Sequence, residues 1–439
     1  MRILPQDGDY HYGCRSPFPH AVAAGDLHDI LMPDTTIIVG AGQAGAELAF
    51  SLRRLGHAGR ILLIGDEPHP PYRRPPLSKT YLAGEATLES LLLGPPQVYE
   101  KQGIECRLGI GVESIDRVTH RLRLFDGTQL TYDKLALTTG GRSRRLSLPG
   151  ADKSNVHHLR TIADVDRIKR TFVAGRRLVI IGGGYIGLET AAAAVKKGLH
   201  VCVVEALPRV LARVTAPEIS VFYERAHRAR GVDLRTGVGV QALEGEARVE
   251  HVVLTDGTRL PAELVIVGIG LIPNTELAEA AGLDVDNGIV VDRYGLTSDP
   301  DIVAAGDCTN HENVFLDCRV RLESVPNALE QARVAAATLV GKSRAQDAIP
   351  WFWSDQYDLK LQMVGLSQGY DTLVIRGDPE TESFLAFYLK DGVVISVDAV
   401  NRPQEFSLAK RIVATRSAIP AERLRNEKTP LQDLLQSSA

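Results

Sequence analysis

The chain has 439 residues, of which 44% are hydrophobic and 24% charged, and its formal net charge is -4 at pH 7. A charge balance this close to neutral gives no general attraction to nucleic acid or to an anionic membrane. No apolar run approaches the roughly 20 residues of a membrane span. The composition therefore predicts a globular protein of several domains, with neither nucleic acid nor membrane as a partner.

The cysteines are odd in number and widely spread, at Cys14, Cys106, Cys202, Cys308 and Cys318. They form neither C-x-x-C nor the spacing of metal ligands. We therefore expect a cytoplasmic protein with no structural disulfide and no bound metal.

Residues 1–33 have no helical or strand period and no secretory signal, so we expect an extension outside the fold. His11 and His20 lie near Cys14 in this stretch, but so loose a grouping is a poor metal site.

The first motif follows an apolar, β-branched run at Thr35–Val39, which is typical of a buried strand. The run leads into G-x-G-x-x-G, formed by Gly40, Gly42 and Gly45, and then into a helix predicted from Ala46 to Leu55. The first glycine permits a tight turn, the second lets the backbone approach a pyrophosphate, and the third lets the helix pack closely. The helix N-terminus then faces the anion.

A second strand runs from Arg60 and ends in the acids Asp66 and Glu67, about 20 residues beyond the glycines, as a dinucleotide fingerprint requires. The alternative is a plain tight turn in an α/β domain. Residues 70–79, PPYRRPPLSK, then form a proline-stiffened loop with basic groups, which lies either beside a cofactor or simply on the surface. Short strands are predicted at Gly109–Ile115, His120–Leu124 and from Lys134 to a glycine pair at Gly141.

The opening pattern then repeats. The strand Arg177–Ile181 leads into Gly182, Gly184 and Gly187, and a helix is followed by the strand His200–Glu205. The strand and glycine turn at residues 262–274 likewise repeat the pattern of residues 134–141. The internal repeat predicts two nucleotide sites.

The remainder of the chain begins with a buried strand at Asp301–Cys308 and a long helix that starts after Glu323 and ends at Val340. From about Asp347 the composition changes. Alternating strands predict an antiparallel sheet, and a helical tail is expected from Phe406. The predicted strands are Thr372–Arg376, Ser383–Leu389 and Val393–Val400.

We expect two dinucleotides in tandem halves to bring their reactive rings together, and hydride transfer from nicotinamide to flavin is the reaction that needs this arrangement. Glu205 occupies the position of a carboxylate that binds both ribose hydroxyls and repels the 2′-phosphate of NADPH. The next three residues include no arginine, so we expect NADH. Arg209 and Arg213 lie nearby and leave a minor NADPH activity open.

Several of these motifs together resemble the ferredoxin reductase family of FAD- and NAD(P)-dependent pyridine nucleotide flavoproteins. They are the two fingerprints, PPYRRPPLSK, AAGDC at Asp307, ESVPNALEQAR, PWFWSDQY and VNRP at Val400–Pro403. The resemblance extends from Asp34 to the C-terminus. It implies an α/β, glutathione-reductase-like fold with two Rossmann-like domains, for FAD and NAD, and a C-terminal α+β domain. The expected bounds are 1–33 for the extension, 34–145 and 273–346 for the FAD domain, 146–272 for the NAD domain and 347–439 for the C-terminal domain.

The resemblance also implies the residues of both sites. FAD is expected on Gly40, Gly42, Gln43, Ala44, Gly45, Asp66, Glu67, Arg74, Lys79, Val112, Thr139, Gly140, Arg160, Asp307, Val325 and Trp353. NADH is expected on Gly182, Gly184, Tyr185, Ile186, Gly187, Glu205, Arg213 and Gly270. Within the FAD set, Asp66 or Glu67 lies near the adenosine ribose, Val112 at the adenine, Asp307 at the ribityl chain, and Val325 at the flavin pyrimidine edge.

Lys79 and Glu189 are the expected catalytic pair beside flavin N5. The lysine stabilises negative charge on the reduced ring, and the carboxylate lies near a helix N-terminus. No C-x-x-C or C-x-x-x-x-C accompanies either site, which argues against the disulfide reductases of this fold. Electrons are therefore expected to leave the flavin directly.

The implied function is electron transfer from NADH through FAD to a two-iron two-sulfur ferredoxin that serves a cytochrome P-450. Alternatives are a rubredoxin reductase, the reductase component of a ring-hydroxylating dioxygenase, or a flavoprotein like apoptosis-inducing factor. Ferredoxins of this kind are acidic, so a local basic surface is expected. Its candidates are Arg333 and Lys410, with Lys360, Arg411 and Arg416 as weaker additions.

Overall fold

A computed structural model of the chain describes residues 34–436. The metal alternative at His11, Cys14 and His20, and the extension itself, lie outside the described residues. Nowhere in the described part do three or more His, Cys, Asp or Glu side chains gather as they would around a metal ion. Among the described helices, none combines the length and apolarity needed to cross a membrane.

The described helices are α1 Gln43–Arg54, α2 Leu88–Leu91, α3 Pro96–Lys101, α4 Ile162–Lys169, α5 Tyr185–Lys196, α6 Pro217–Ala229, α7 Glu276–Ala280, α8 Val325–Leu339, α9 Pro403–Ala414, α10 Ala421–Arg425 and α11 Leu431–Gln436. The described strands are β1 Thr35–Val39, β2 Arg60–Gly65, β3 Ile104–Leu108, β4 Val112–Asp116, β5 Arg121–Leu124, β6 Gln129–Thr131, β7 Lys134–Leu137, β8 Gly141–Ser143, β9 Val156–His158, β10 Arg177–Ile181, β11 His200–Glu205, β12 Asp233–Thr236, β13 Val240–Glu244, β14 His251–Leu254, β15 Arg259–Pro261, β16 Leu264–Val267, β17 Leu271–Pro273, β18 Ile289–Val291, β19 Ile302–Ala304, β20 Thr309–Asn313, β21 Cys318–Val320, β22 Trp351–Gln356, β23 Leu359–Gly365, β24 Thr372–Asp378, β25 Ser383–Lys390 and β26 Val393–Val400.

Two five-stranded parallel sheets carry the two fingerprints. Their strand orders are β19-β7-β1-β2-β3 and β12-β11-β10-β16-β9, so each places its fingerprint strand at the centre. The central strands are apolar along their length because both faces of a parallel sheet are covered. The predicted repeat is confirmed, and it extends to a small antiparallel sheet inserted within each half, β4-β5-β6 before β7 and β13-β14-β15 before β16.

The first glycine of each fingerprint has the same backbone conformation for the same reason. Gly40 has φ of 111°, and a Cβ atom there would lie 2.2 Å from the carbonyl oxygen of Thr138. Gly182 has φ of 113°, and its Cβ would lie 2.3 Å from the carbonyl oxygen of Gly268. Only glycine combines this turn with so close an approach to the neighbouring strand.

The third sheet, β22-β23-β26-β25-β24, is antiparallel. Successive side chains of β25 alternate between its faces. Leu385 and Phe387 pack against α9, whereas Phe384 and Tyr388 pack with α6, where the rings of Phe384 and Phe222 lie 5.0 Å apart. The C-terminal sheet is therefore buried on both faces.

The fold class expected from the sequence is confirmed, and the differences are local. Sequence reasoning did not name several strands, among them β3, β12, β13, β14, β22 and β23. The strand expected at Gly109–Ile115 begins only at Val112, because Gly109, with φ of 77°, belongs to a turn. The helical tail begins at Pro403, three residues earlier than expected. The domain bounds stay a prediction.

Candidate functional site

One cavity of about 1490 Å³ runs from the first phosphate turn to the second. Its lining includes Gly40 and Gly42 at one end and Gly182 and Gly184 at the other. The volume exceeds the roughly 300–1,000 Å³ of a site for one drug-sized ligand. A single space therefore connects the two predicted dinucleotide sites.

Both phosphate turns present an unblocked helix end to this cavity. Gly42 and Gly184 are the N-cap residues of α1 and α5, and no side chain caps either helix. A Cβ atom on either glycine would meet no atom within 4 Å, so their backbone faces open space. The free N–H groups and the helix dipole suit a pyrophosphate at each turn.

The acid at the end of β11 is held by the second turn. Glu205 accepts hydrogen bonds from the backbone N–H of Gly183, at 2.7 Å, and from that of Leu207, at 2.8 Å. Each carboxylate oxygen keeps a lone pair for a further donor. The carboxylate therefore lies on the cavity wall in a fixed orientation, where a ribose hydroxyl can reach it.

Of the two acids after β2, only one has a carboxylate available for a ribose contact. Glu67 forms a 2.8 Å ion pair with Arg74 and accepts a 2.7 Å hydrogen bond from the hydroxyl of Tyr72. Asp66 is exposed and lines the cavity. The sequence left these two residues as alternatives for the ribose contact, and the geometry favours Asp66.

Two arginines and an aspartate, Arg74, Arg160 and Asp307, contact one another in the lining of the cavity. Arg74 donates to the backbone oxygen of Arg160 at 2.7 Å, and Arg160 forms a 3.1 Å ion pair with Asp307. Arg160 also donates to the backbone oxygen of Gly141. Burial lowers the pKa of Arg160. These contacts fix the three side chains on one wall of the cavity.

Lys79 and Glu189 meet as expected. The Lys79 ammonium lies 2.8 Å from one oxygen of Glu189, whose side chain is only 3% exposed. The same oxygen accepts a 2.6 Å hydrogen bond from Ser78, and the other accepts a 2.7 Å hydrogen bond from Ser354. Glu189 is therefore a buried side chain with three close partners and not an exposed acid of the first helical turn.

The remaining predicted residues also border this space. Val325 is the first residue of α8, and Trp353 is half-buried on β22 with its ring 5.7 Å from that of Trp351. Thr139 and Val112 line a smaller cavity of about 90 Å³ that Asp66 also borders, and the adenine contact of Val112 stays a prediction. The other predicted residues that line the main cavity are Gln43, Ala44, Gly140, Tyr185, Ile186, Arg213 and Gly270. Gly45 and Gly187 instead support close helix packing, since a Cβ on either would lie within 2.1 Å of a backbone oxygen.

Arg209 does not contribute to the nucleotide site. It donates to the backbone oxygens of Thr215 and Ala212 and to the hydroxyl of Ser220, so it braces a turn. Arg209 is not among the residues that line the cavity, and the minor NADPH activity left open by the sequence stays a prediction. Arg213 is exposed on the cavity rim.

Sequence reasoning missed Ser78 and Ser354. Ser78 directly precedes Lys79 in the proline-stiffened loop, so the motif offered a signal for it. Ser354 lies in PWFWSDQY, but nothing local indicates that its hydroxyl meets a helix 165 residues away in the sequence.

Several of the basic residues proposed for a partner surface already contact other groups of the protein. Arg333 is 43% exposed and forms a 2.8 Å ion pair with Glu47. The ammonium of Lys410 lies 3.6 Å from the ring centroid of Trp351, and burial lowers the pKa of this lysine. Lys360, Arg411 and Arg416 are exposed, and Arg416 donates to the backbone oxygen of Phe315.

Two phosphate turns that open into one cavity, with an ion pair at its wall, define an oxidoreductase that holds a flavin and a pyridine nucleotide together. Comparison with known proteins agrees. Residues 34–332 match the family model described as pyridine nucleotide-disulphide oxidoreductase, and residues 351–435 match the reductase C-terminal model. The chain therefore belongs to the pyridine nucleotide-disulphide oxidoreductase family, and it carries the additional C-terminal domain of the reductases.

The chain is similar to ferredoxin reductases along most of its length. It is 50% identical to putidaredoxin reductase of Pseudomonas putida over 408 residues, which are 92% of this chain and 97% of the relative. The structure of a covalent putidaredoxin reductase–putidaredoxin complex matches with a TM-score of 0.90, covering 92% of this chain and 99% of the other. The ferredoxin reductase for the CYP199A2 system from Rhodopseudomonas palustris is 44% identical, with a TM-score of 0.89 and coverage of 92% and 100%.

FAD and a pyridine nucleotide are the cofactors of this family, and the residues present fit them. The fit rests on the two open glycine turns, the two acids at strand ends and the continuous cavity. The four cysteines that the structure describes, Cys106, Cys202, Cys308 and Cys318, form no disulfide among residues 34–436.

Proposed function

We propose that the protein is an NADH-dependent ferredoxin reductase that passes electrons through FAD to a two-iron two-sulfur ferredoxin, which in turn serves a cytochrome P-450. The observation that carries the proposal is the single cavity joining both dinucleotide turns, with the Lys79–Glu189 pair on its wall. Similarity to ferredoxin reductases over nine tenths of the chain supports the choice of acceptor.

Bound FAD would supply the chemistry that couples two-electron exchange with NADH to single-electron transfer, and the residues of this chain would supply the positions and charges for it. The α1 N-terminus and Asp66 would hold the adenosine and pyrophosphate end, and Asp307 the ribityl chain. Lys79 would stabilise the negative charge that reduction develops, because an oriented cation in a water-poor site acts strongly. Glu189 would hold the ammonium of that lysine in place through the 2.8 Å ion pair.

The α5 N-terminus and Glu205 would hold NADH. The Glu205 carboxylate is fixed by two backbone N–H groups, so it cannot easily turn away from an incoming 2′-phosphate. Repulsion of that phosphate supports NADH over NADPH. We also propose a cytoplasmic location, which the free state of Cys106, Cys202, Cys308 and Cys318 supports.

An anaerobic titration tests the proposal. NADH is added to the purified holoenzyme and bleaching of the flavin is followed, after which two-iron two-sulfur ferredoxins and a rubredoxin are added separately. We expect a ferredoxin to restore the oxidised flavin spectrum. Reoxidation by rubredoxin alone would favour the rubredoxin reductase alternative, and reoxidation by neither protein would contradict the proposal.

A further inference from the structure

A network of hydrogen-bonded polar side chains leads from the Lys79–Glu189 pair along one face of β22 to His227 on α6. Ser354 contacts Glu189 at 2.7 Å, Gln356 contacts Ser354 at 3.2 Å, and His227 contacts Gln356 at 2.8 Å. The hydroxyl of Tyr357 lies 3.0 Å from the second ring nitrogen of His227. Ser354, Gln356 and His227 are fully buried, so water cannot replace any of these contacts.

The carboxylate end of the network dictates the direction of its first two hydrogen bonds. An ionised carboxylate can only accept, so the Ser354 hydroxyl donates its one proton to Glu189. The Ser354 oxygen must then accept from Gln356, which places the amide nitrogen of Gln356 toward the serine. The amide oxygen of Gln356 consequently faces His227.

The direction of the last two bonds follows. An amide oxygen can only accept, so His227 carries a proton on Nε2 and donates it to Gln356. Burial lowers the pKa of His227 to about 4, so at neutral pH the ring is neutral and its Nδ1 is an acceptor. The hydroxyl of Tyr357 therefore donates to Nδ1. In each of the four hydrogen bonds of this network, the donated hydrogen therefore points along the network toward Glu189.

Three separate parts of the chain meet in this network. Glu189 lies on α5, His227 lies on α6, and Ser354 and Gln356 lie on β22. The two β22 residues are two positions apart, so they share one face of the strand. An amide in the middle of the network does not readily pass protons, so the arrangement orients groups and does not conduct.

We propose that Gln356 and His227 are positioning residues for the Lys79–Glu189 pair: their hydrogen bonds hold the Ser354 hydroxyl on Glu189 and thereby keep the Glu189 carboxylate aimed at Lys79. The proposal rests on the proposed function only in assigning Lys79 and Glu189 to the flavin. The hydrogen-bond network directly requires that the neutral ring of His227 carries its proton on Nε2.

Nitrogen-15 NMR of the oxidised holoenzyme, labelled at histidine, tests the tautomer. The chain contains 12 histidines, and the signals of His227 are identified by their loss in His227→Asn. We expect a neutral ring protonated at Nε2. A ring protonated at Nδ1, or at both nitrogens, at pH 7 would overturn the proposal, because the hydrogen bonds would then run in another direction.

Stopped-flow reduction of the flavin by NADH provides the second test. In Gln356→Met, which removes both hydrogen bonds at similar volume, we expect the limiting rate to fall about tenfold and the apparent Kd for NADH to change less than about twofold. Tyr223→Phe is the matched control, since Tyr223 is fully buried on α6 and its hydroxyl has no hydrogen-bond partner among the described residues. It is expected to keep the wild-type rate.

A wild-type limiting rate in Gln356→Met would overturn the proposal. If that variant does not fold, the NMR measurement of the His227 tautomer in the wild-type protein still tests the proposal. Failure of the proposed function has a different signature, because neither test uses an electron acceptor. If no ferredoxin reoxidises the flavin, the acceptor is wrong, while the tautomer and the reduction rate still report on Gln356 and His227.

Discussion

Glu189 is held through both of its carboxylate oxygens, and this fixes what its substitution does. One oxygen faces Lys79 and Ser78, and the other faces Ser354. Removing one partner of a buried ion pair is costly, at about 3–5 kcal/mol, because the other charge stays buried and uncompensated. The energetic contribution of Lys79 therefore cannot be separated from that of Glu189.

A double-mutant cycle measures that coupling. We expect Lys79→Ala and Glu189→Ala each to slow flavin reduction by NADH, and the double variant to be less impaired than the sum of the two, because each single change strands a charge. The measurement is the stopped-flow reduction rate of all four proteins. Strictly additive effects would count against the pair.

The proposed preference for NADH is assigned to one residue at the end of β11. Replacing Glu205 with alanine would remove the proposed hydrogen bonds to the ribose hydroxyls and the proposed repulsion of a 2′-phosphate. The lost contact should cost about 1.5–3 kcal/mol of NADH binding, as expected for a hydrogen bond to a charged group. Steady-state kcat/KM for NADH and NADPH measures it, with Glu246→Ala, an exposed change beyond β13, as the control. An unchanged preference in Glu205→Ala would disprove the assignment.

At the scale of elements, the segment before α6 is joined to the C-terminal sheet by a buried carboxylate. Asp398 on β26 accepts hydrogen bonds from Tyr388 on β25, at 2.5 Å, and from Thr215, at 2.7 Å. Burial raises the pKa of Asp398 to about 6, above its ordinary value near 4. The folded protein thus keeps a proton that the unfolded chain has already released in this range.

This linkage makes stability depend on pH. Since the folded state binds the proton more tightly, the contribution of Asp398 is complete below about pH 4 and is lost as the pH rises to about 6. In Asp398→Asn, whose amide oxygen can accept the same two hydrogen bonds, this loss should disappear. Urea unfolding of both proteins at several pH values between 4 and 7 tests it. Parallel pH curves would show that Asp398 does not titrate in this range.

At the scale of the whole molecule, a net charge of -4 makes approach to an acidic ferredoxin unfavourable unless a local basic surface overcomes it. Arg333 lies on α8, whose first residue borders the cavity, and Lys410 lies on α9. Both are constrained, Arg333 by Glu47 and Lys410 by Trp351. Each can therefore present its charge in a fixed position.

Charge reversal at this surface should weaken docking without harming the flavin site. For Arg333→Glu and Lys410→Glu we expect a higher apparent KM for ferredoxin and a flatter salt dependence, because fewer ion pairs form. NADH-driven reduction of ferricyanide should stay near the wild-type rate. Arg123→Glu is the matched control, since Arg123 is 56% exposed and likewise pairs with one glutamate, Glu113.

The ferricyanide assay separates docking from damage. A variant that loses both activities has a folding or flavin defect, and the docking surface then lies elsewhere. Equal effects of Arg123→Glu and Arg333→Glu on the KM for ferredoxin would mean that net charge, and not a local surface, governs docking.

The sequence by itself determined the repeated strand, glycine turn and helix, and hence both dinucleotide sites, because these features depend on residues close together in the chain. Gly40 and Gly182 need positive φ for local reasons, and Glu205 follows its strand directly. The family motifs in the sequence also predicted that Lys79 and Glu189 form a pair. Tertiary structure alone decided which groups surround that pair. Ser354 meets Glu189 across 165 residues, and His227 meets Gln356 across 129, through contacts that no local pattern encodes. Such contacts arise only when separate elements pack, so their geometry cannot be derived from neighbouring residues.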